Sequence, residues 1–322
     1  MSKLQIPDHL LLLLQQATDN YQQAAKPKQR GRPRTYSGLS FLLLAMTAVV
    51  LRTFDAIELQ RLLLHDARLQ QQCGFPAVPH RKTIARRLTS LVAEAEEQVT
   101  LLGEHIKHTV KSASLSAVDG RMYQAVGAKW HQKQRKLGLI PPKLRNVDIE
   151  SAWSKSGYRG WVQGYRLVVQ CLVFPIPVPL FAKWVSNNTG ESTVLKQALG
   201  ARSLPVTDVM LGDEAFGGAE LTTLYQAAGG WLLTPQQLPK KNHTWKQDLF
   251  SYRKEAIELL FQRVIQASDL KQCQVLGNGK NGAFVLVSVW LYQLVFLSNY
   301  RQQKPLAIIK EQLDLARWRV PI

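Results

Sequence analysis

The chain has 322 residues, 46% of them apolar, and carries 41 Lys and Arg against 23 Asp and Glu, a formal net charge of +18. Such an apolar share excludes a disordered tail and suffices for a core, while the length suits about two domains. The charge favours a polyanionic partner, nucleic acid being the commonest; the reading it leaves open is a basic protein with no such partner.

Residues 4–24 predict a helix, a leucine run followed by glutamines with no Gly and no Pro after Pro7. Lys26, Lys28, Arg30, Arg32 and Arg34 follow, interleaved with Pro27, Gly31 and Pro33. Pro and Gly forbid a regular helix there, which predicts a flexible basic arm that can lie along phosphates or in a minor groove; a solvated linker is the alternative. Residues 37–52 and 55–70 predict two more helices. After a turn at 74–79, Ile84, Leu88 and Leu91 recur at i, i+4 and i+7, with Arg81, Lys82, Arg86 and Arg87 outside that stripe. One apolar face and one cationic face suit the recognition helix of a helix-turn-helix, and equally a solvated basic face. With a helix over 93–110, residues 1–112 are expected to be an all-α DNA-binding region, with a candidate helix-turn-helix near 79–92.

The texture changes at Leu115. Short apolar segments around 114–118, 162–174, 178–186, 206–212 and 231–234 read as strands, and helical patterns at 191–200 and 217–228 separate the later ones. Helices at 252–268 and 282–300 close the pattern. The expectation is a mixed α/β sheet flanked by helices over 113–302, with 303–322 as a tail. Lys129, Lys133, Arg135 and Lys136 surround Trp130 in a segment, 129–145, without clear periodicity. It reads as an insertion or long loop beside the first strands, placed either to meet phosphates or simply to be solvated.

Cys73, Cys171 and Cys273 lie about a hundred residues apart, a spacing that fits neither a metal site nor a disulfide framework. No signal-peptide pattern opens the chain, so a cytoplasmic location is expected. The apolar runs 39–51 and 283–297 fall short of the ~18 residues a membrane span needs and predict buried helices, with no membrane partner.

Three acidic residues carry the chemistry. Asp119 closes the apolar run 115–118, Asp213 closes the run 209–212, and Glu258 lies on the predicted helix beside the core-facing arc of Ile257, Leu260, Phe261 and Val264. Carboxylates at two strand ends with a third on a later helix can hold divalent ions, and few protein ligands suffice for Mg²⁺. Each has an ordinary reading too: Asp119-Gly120 is a turn signal, Asp213 a helix cap, and Glu258 a surface partner of Lys254.

In order and local motif the chain resembles the DDE transposases of bacterial insertion sequences, whose catalytic domain is ribonuclease-H-like. The resemblance rests on Ala117-Val118-Asp119-Gly120, Gly164-Tyr165-Arg166-Leu167, Met210-Leu211-Gly212-Asp213-Glu214-Ala215-Phe216, Ala256-Ile257-Glu258-Leu259-Leu260-Phe261-Gln262-Arg263 and Val289-Trp290-Leu291-Tyr292-Gln293-Leu294. It implies Asp119, Asp213 and Glu258 as the metal-binding triad, with Mg²⁺ as cofactor and Mn²⁺ able to substitute. It also implies cutting and joining of double-stranded DNA at element ends by two-metal chemistry, in a homodimer or higher oligomer associated with the bacterial nucleoid. The family often has Tyr, two residues, Arg, three residues, Glu, six residues, Lys; here Ser251, Lys254 and Ile265 stand at the Tyr, Arg and final Lys positions. Phosphate contacts then fall to Arg253, Lys254 and Arg263. Two alternatives stand beside this reading, a metal-dependent nuclease of the same fold and a catalytically decayed DNA-binding protein. The interval between Asp213 and Glu258 has no room for the β-rich insertion of some relatives, and Trp245, in the linker 235–250, is its base-stacking candidate.

Overall fold

The computed structural model describes residues 8–22, 35–110, 114–140, 145–157, 159–238 and 244–309. Its first part is all-α, as the sequence implies. Helix α1 (Asp8–Asn20) packs on α2 (Gly38–Leu51), nearly all of whose side chains are buried. Asp55 starts α3 (Ala56–His65) by accepting the backbone N–H groups of Ile57 and Glu58. The single helix expected over 55–70 is broken at Asp66, which turns extended and caps α4 (Ala67–Gln72) through the N–H groups of Arg68 and Leu69. A second capping side chain inside the periodic run is what divides it. Next come α5 (Arg81–Thr89), which buries Ile84 and Leu88, and α6 (Val92–Thr109).

β1 (Leu115–Gln124) opens the sheet and is followed by α7 (Gln132–Lys136), β2 (Ala152–Ser156), β3 (Gly160–Leu172) and β4 (Val178–Ser186). The segment 129–145, expected to be loop, thus contains one short helix, and β2 is a strand the sequence patterning missed. α8 (Glu191–Gly200), β5 (Val209–Leu211), α9 (Ala219–Ala227) and β6 (Trp231–Leu233) continue the chain; α10 (Trp245–Ser268) and α11 (Asn278–Arg301) complete it. β1 runs antiparallel to β3, and β2 and then β4 pair along the other edge of β3. β5 and β6 add in parallel on the far side of β1. Four strands joined by antiparallel pairing, followed by two short parallel ones, with helices on both faces, form a mixed α/β sheet of the ribonuclease-H-like kind.

Alternation along the strands sends side chains to two faces. Ala117, Val169, Cys171, Leu211 and Leu233 join one core, and Val118, Val168, Met210 and Leu232 face the other, beneath α8 and α9. The first core also holds Leu10, Phe41, Leu88 and Leu102, so the N-terminal helices and the sheet share it. α6 lies directly on β4: a side chain at Gly103 would collide with the carbonyl of Leu180, and buried Glu96 accepts the N–H of Trp184 at 3.0 Å. α11 packs against α6, α2 and β4. At 24 residues it is long and apolar enough to cross a membrane, longer than the apolar run suggested, but 94% of its apolar window is buried in the protein. Gln293 on it donates to the carbonyls of Val99 and Pro179 at 2.8 and 2.9 Å, so its buried amide nitrogen ties the two layers together.

Candidate metal centre and nucleic-acid surface

Asp119 does not end its strand. β1 continues to Gln124 in register with β3; what ends there is β5, whose Leu211 stands opposite Ala117. Asp119 therefore lies just past the carboxyl end of the parallel neighbour, where Gly212 and Asp213 leave the sheet. Crevices outside the carboxyl ends of parallel strands are the usual location of ligand sites in such sheets. Asp213 accepts the N–H of Ala215 at 2.9 Å, capping a short 3₁₀ turn, while Asp119 accepts that of Gly120 at 2.8 Å. Both carboxylates keep a second oxygen for the crevice.

The third member of the group is Glu191, the first residue of α8. Carboxylate oxygens of Asp119, Glu191 and Asp213 all lie within 4.8 Å of one another. Gly120 permits this approach, since a Cβ there would collide with the Glu191 carboxylate. Arg166, a member of the β3 motif, holds Glu191 at 3.1 Å, and both side chains are nearly buried. An acidic residue in the first turn of a helix is ordinarily read as a complement to the helix dipole, which is why sequence reasoning passed over Glu191.

Glu258 is exposed and does not join the group. The buried stripe of α10 runs through Ile257, Leu260 and Val264, and Arg253 lies in line with it. Five residues on from Arg253, Glu258 is turned roughly 140° around the helix. Instead of a carboxylate, α10 presents the Arg253 guanidinium to the aspartates, 3.1 Å from Asp119 and 3.6 Å from Asp213, with its side chain only 13% exposed.

Electrostatics follow from this packing. Burial raises the Asp119 pKa; Arg253 opposes that shift and Asp213 adds to it. Burial pushes Glu191 up to about 7, against the pull of Arg166 and with the push of both aspartates. A carboxyl group whose folded pKa exceeds its unfolded value stabilises the fold fully below the unfolded pKa, and that contribution is lost as pH rises through the folded one. Metal-free protein should therefore lose stability between about 4.5 and about 7. Glu191→Gln should flatten that slope in melting curves recorded with EDTA; an unchanged slope would remove Glu191 as its source.

The expected nucleic-acid contacts are placed unevenly. Lys26, Lys28, Arg30, Arg32 and Arg34 lie outside the described residues. Arg81, Lys82 and Arg86 are exposed on α5, which packs against α3, but Arg87 is half-buried with its guanidinium 5.1 Å from the centre of the Phe41 ring. Lys129, Lys133 and Lys136 are exposed, and Arg135 lies over the Trp130 ring. Lys254 is exposed; Arg263 is drawn toward the Tyr292 hydroxyl in the core. Trp245 opens α10 rather than lying in a linker, and its exposed ring stands 5.7 Å from that of Trp231.

No family model and no curated protein matches the chain. Among solved structures, it is similar to a piggyBac transposase synaptic complex with hairpin DNA at 7% identity and a TM-score of 0.42, covering 98% of this chain and 79% of that one. A Mos1 strand transfer complex matches at 12% identity and 0.28, covering 91% and 79%. A pre-cleavage Mos1 transpososome matches at 9% and 0.23, covering 87% and 84%. No TM-score among these three reaches 0.5.

Proposed function

We propose that this chain is a DNA transposase of the DDE type, which cuts phosphodiester bonds at the ends of a mobile element and joins the freed ends to target DNA. The observation that carries the reading is the convergence of Asp119, Asp213 and Glu191 beside the guanidinium of Arg253, on a chain of net charge +18. All three donors are hard carboxylate oxygens, a set suited to Mg²⁺ or Mn²⁺. Bound there, a divalent ion would polarise a phosphodiester and make a water or hydroxyl a better nucleophile. Gly120 and Arg166 keep Glu191 in place, while Arg253 balances the aspartates and lies close enough to meet a phosphate drawn into the crevice. Glu258 is the position that resemblance favours for the third ligand, but using it requires a large turn of α10; the geometry supports Glu191.

The same reading gives residues 1–112 the recognition of DNA ends, with Arg81, Lys82 and Arg86 on the exposed face of α5. It has the protein acting as a homodimer or higher oligomer on double-stranded DNA, in the cytoplasm at the nucleoid of a bacterium. Fragments taken from the DNA that flanks the coding region, incubated with the full chain and Mg²⁺ or Mn²⁺, should be nicked and then joined to a target duplex. Intact binding with no cleavage under either ion would refute the transposase reading in favour of a DNA-binding protein, and cleavage without joining would leave a nuclease. Binding should weaken steeply with salt, because each phosphate contact adds roughly 0.9 to the log–log slope. A slope magnitude above about 4 is expected, and a flat response would exclude a phosphate-dominated surface.

A further inference from the structure

At the far end of β1 from the acidic crevice, a cavity of about 160 Å³ opens between the start of β3 and the segment after β1. Trp153, Trp161, Lys129 and Arg159 line it, with no carboxylate among the lining residues. Trp153 and Lys155 on β2 stand opposite Gln163 and Trp161 on β3, so all four share one face of the hairpin. The wall is fixed by hydrogen bonds: the Trp153 indole donates to the Trp130 carbonyl at 2.7 Å, and the Gln163 amide accepts from Trp130 N–H at 3.0 Å and donates to the Ser151 hydroxyl at 2.8 Å. Trp161 is 59% exposed in spite of its size, and Lys129, Lys155 and Arg159 around it are exposed as well.

An open indole beside a cation-lined cavity suits one chemistry in particular. An aromatic face stacks on a base face, and cations hold the phosphates on either side. In a duplex both faces of a base are already stacked, so this wall selects a nucleotide that has left its pair. We propose that the Trp161 cavity is a binding site for an unpaired nucleotide of the substrate DNA, its base stacked on Trp161 and its phosphates met by Arg159 and Lys129.

The site's position ties it to the crevice and to the function proposed above, on which it rests. Gln124 lies five residues along β1 from Asp119, about 17 Å, or about five stacked nucleotides of one strand. Between them Arg121 lies half-buried over the Tyr123 and Phe261 rings. Cationic side chains thus continue from the crevice toward the cavity.

The test uses the full chain in EDTA, so that cleavage plays no part. Two duplexes of equal length serve as probes, one fully paired and one with a short unpaired bulge carrying 2-aminopurine. The wild-type protein should bind the bulged probe about tenfold more tightly and quench its fluorescence. Trp161→Ala should lose both the preference and the quenching while binding the paired duplex as before, and Trp161→Phe should retain most of both. Equal affinity of the wild-type protein for the two probes, or a Trp161→Ala protein that keeps the preference, would overturn the site and leave the transposase reading standing. Failure to bind either duplex would overturn that reading and the site with it.

Discussion

Asp119→Asn, Asp213→Asn and Glu191→Gln should each lower metal-dependent cleavage by at least about 100-fold and leave DNA binding in EDTA nearly unchanged. The magnitude follows from position: losing a residue that merely orients a metal ligand costs about 10–100-fold, and losing the ligand itself should exceed that. Each replacement keeps the side-chain shape and removes one charge from a group whose oxygens lie within 4.8 Å of one another. Cleavage alone cannot separate Glu191 from Glu258, since either could act late in the reaction. Mn²⁺ binding by the free protein, followed by the loss of its electron paramagnetic signal, can. Glu191→Gln should abolish that binding, and Glu258→Ala, altering an exposed side chain, should preserve it. The reverse pattern would assign the third ligand to Glu258 and require α10 to turn toward the aspartates.

Trp290→Ala should cost about 3–5 kcal/mol of stability, the usual range for removing a large buried aromatic side chain. Trp290 is fully buried in α11, in the core that holds Leu10 and Phe41 from the first helices together with Leu167 and Leu180 from the strands. Because α11 touches α6, α2 and β4, the damage should reach both parts at once. Calorimetry should show one transition moved to lower temperature, with helical and sheet signals melting together. A helical part that melts at its original temperature would mean that residues before and after 113 are energetically separate.

How much of this was legible in the sequence depends on which physical signal marks each element. Strands such as Val178–Ser186 and Val209–Leu211 announce themselves by short apolar runs, and α5 by a clean stripe of Ile84 and Leu88. β2 does not, because Ala152–Ser156 pairs with only the first five residues of β3 and exposes Lys155. Asp119 and Asp213, which the proposed centre uses, stand after apolar runs, a local pattern that the sequence displays. Glu191 is invisible to that reasoning: it owes its place to Gly120 and Arg166, both distant in sequence, and only the sheet register brings them together. Glu258 illustrates the opposite difficulty. The arc of Ile257, Leu260, Phe261 and Val264 was right, and all four are buried. That arc extends to Ala256 and Ile265 on its two sides, but the helix carries Arg253, not a carboxylate, to the crevice.

The contact between Gly120 and Glu191 makes those two positions one heritable unit. A methyl group at 120 and a glutamate at 191 cannot occupy the same space, so Gly120→Ala on its own should drive the carboxylate out of the crevice. A shorter acid at 191 would restore the room, and the pair Gly120→Ala with Glu191→Asp should recover metal binding that neither the alanine alone nor random second changes recover. In a laboratory lineage selected for activity, drift at either codon would then be conditional on the other, a sign epistasis written by a single steric collision.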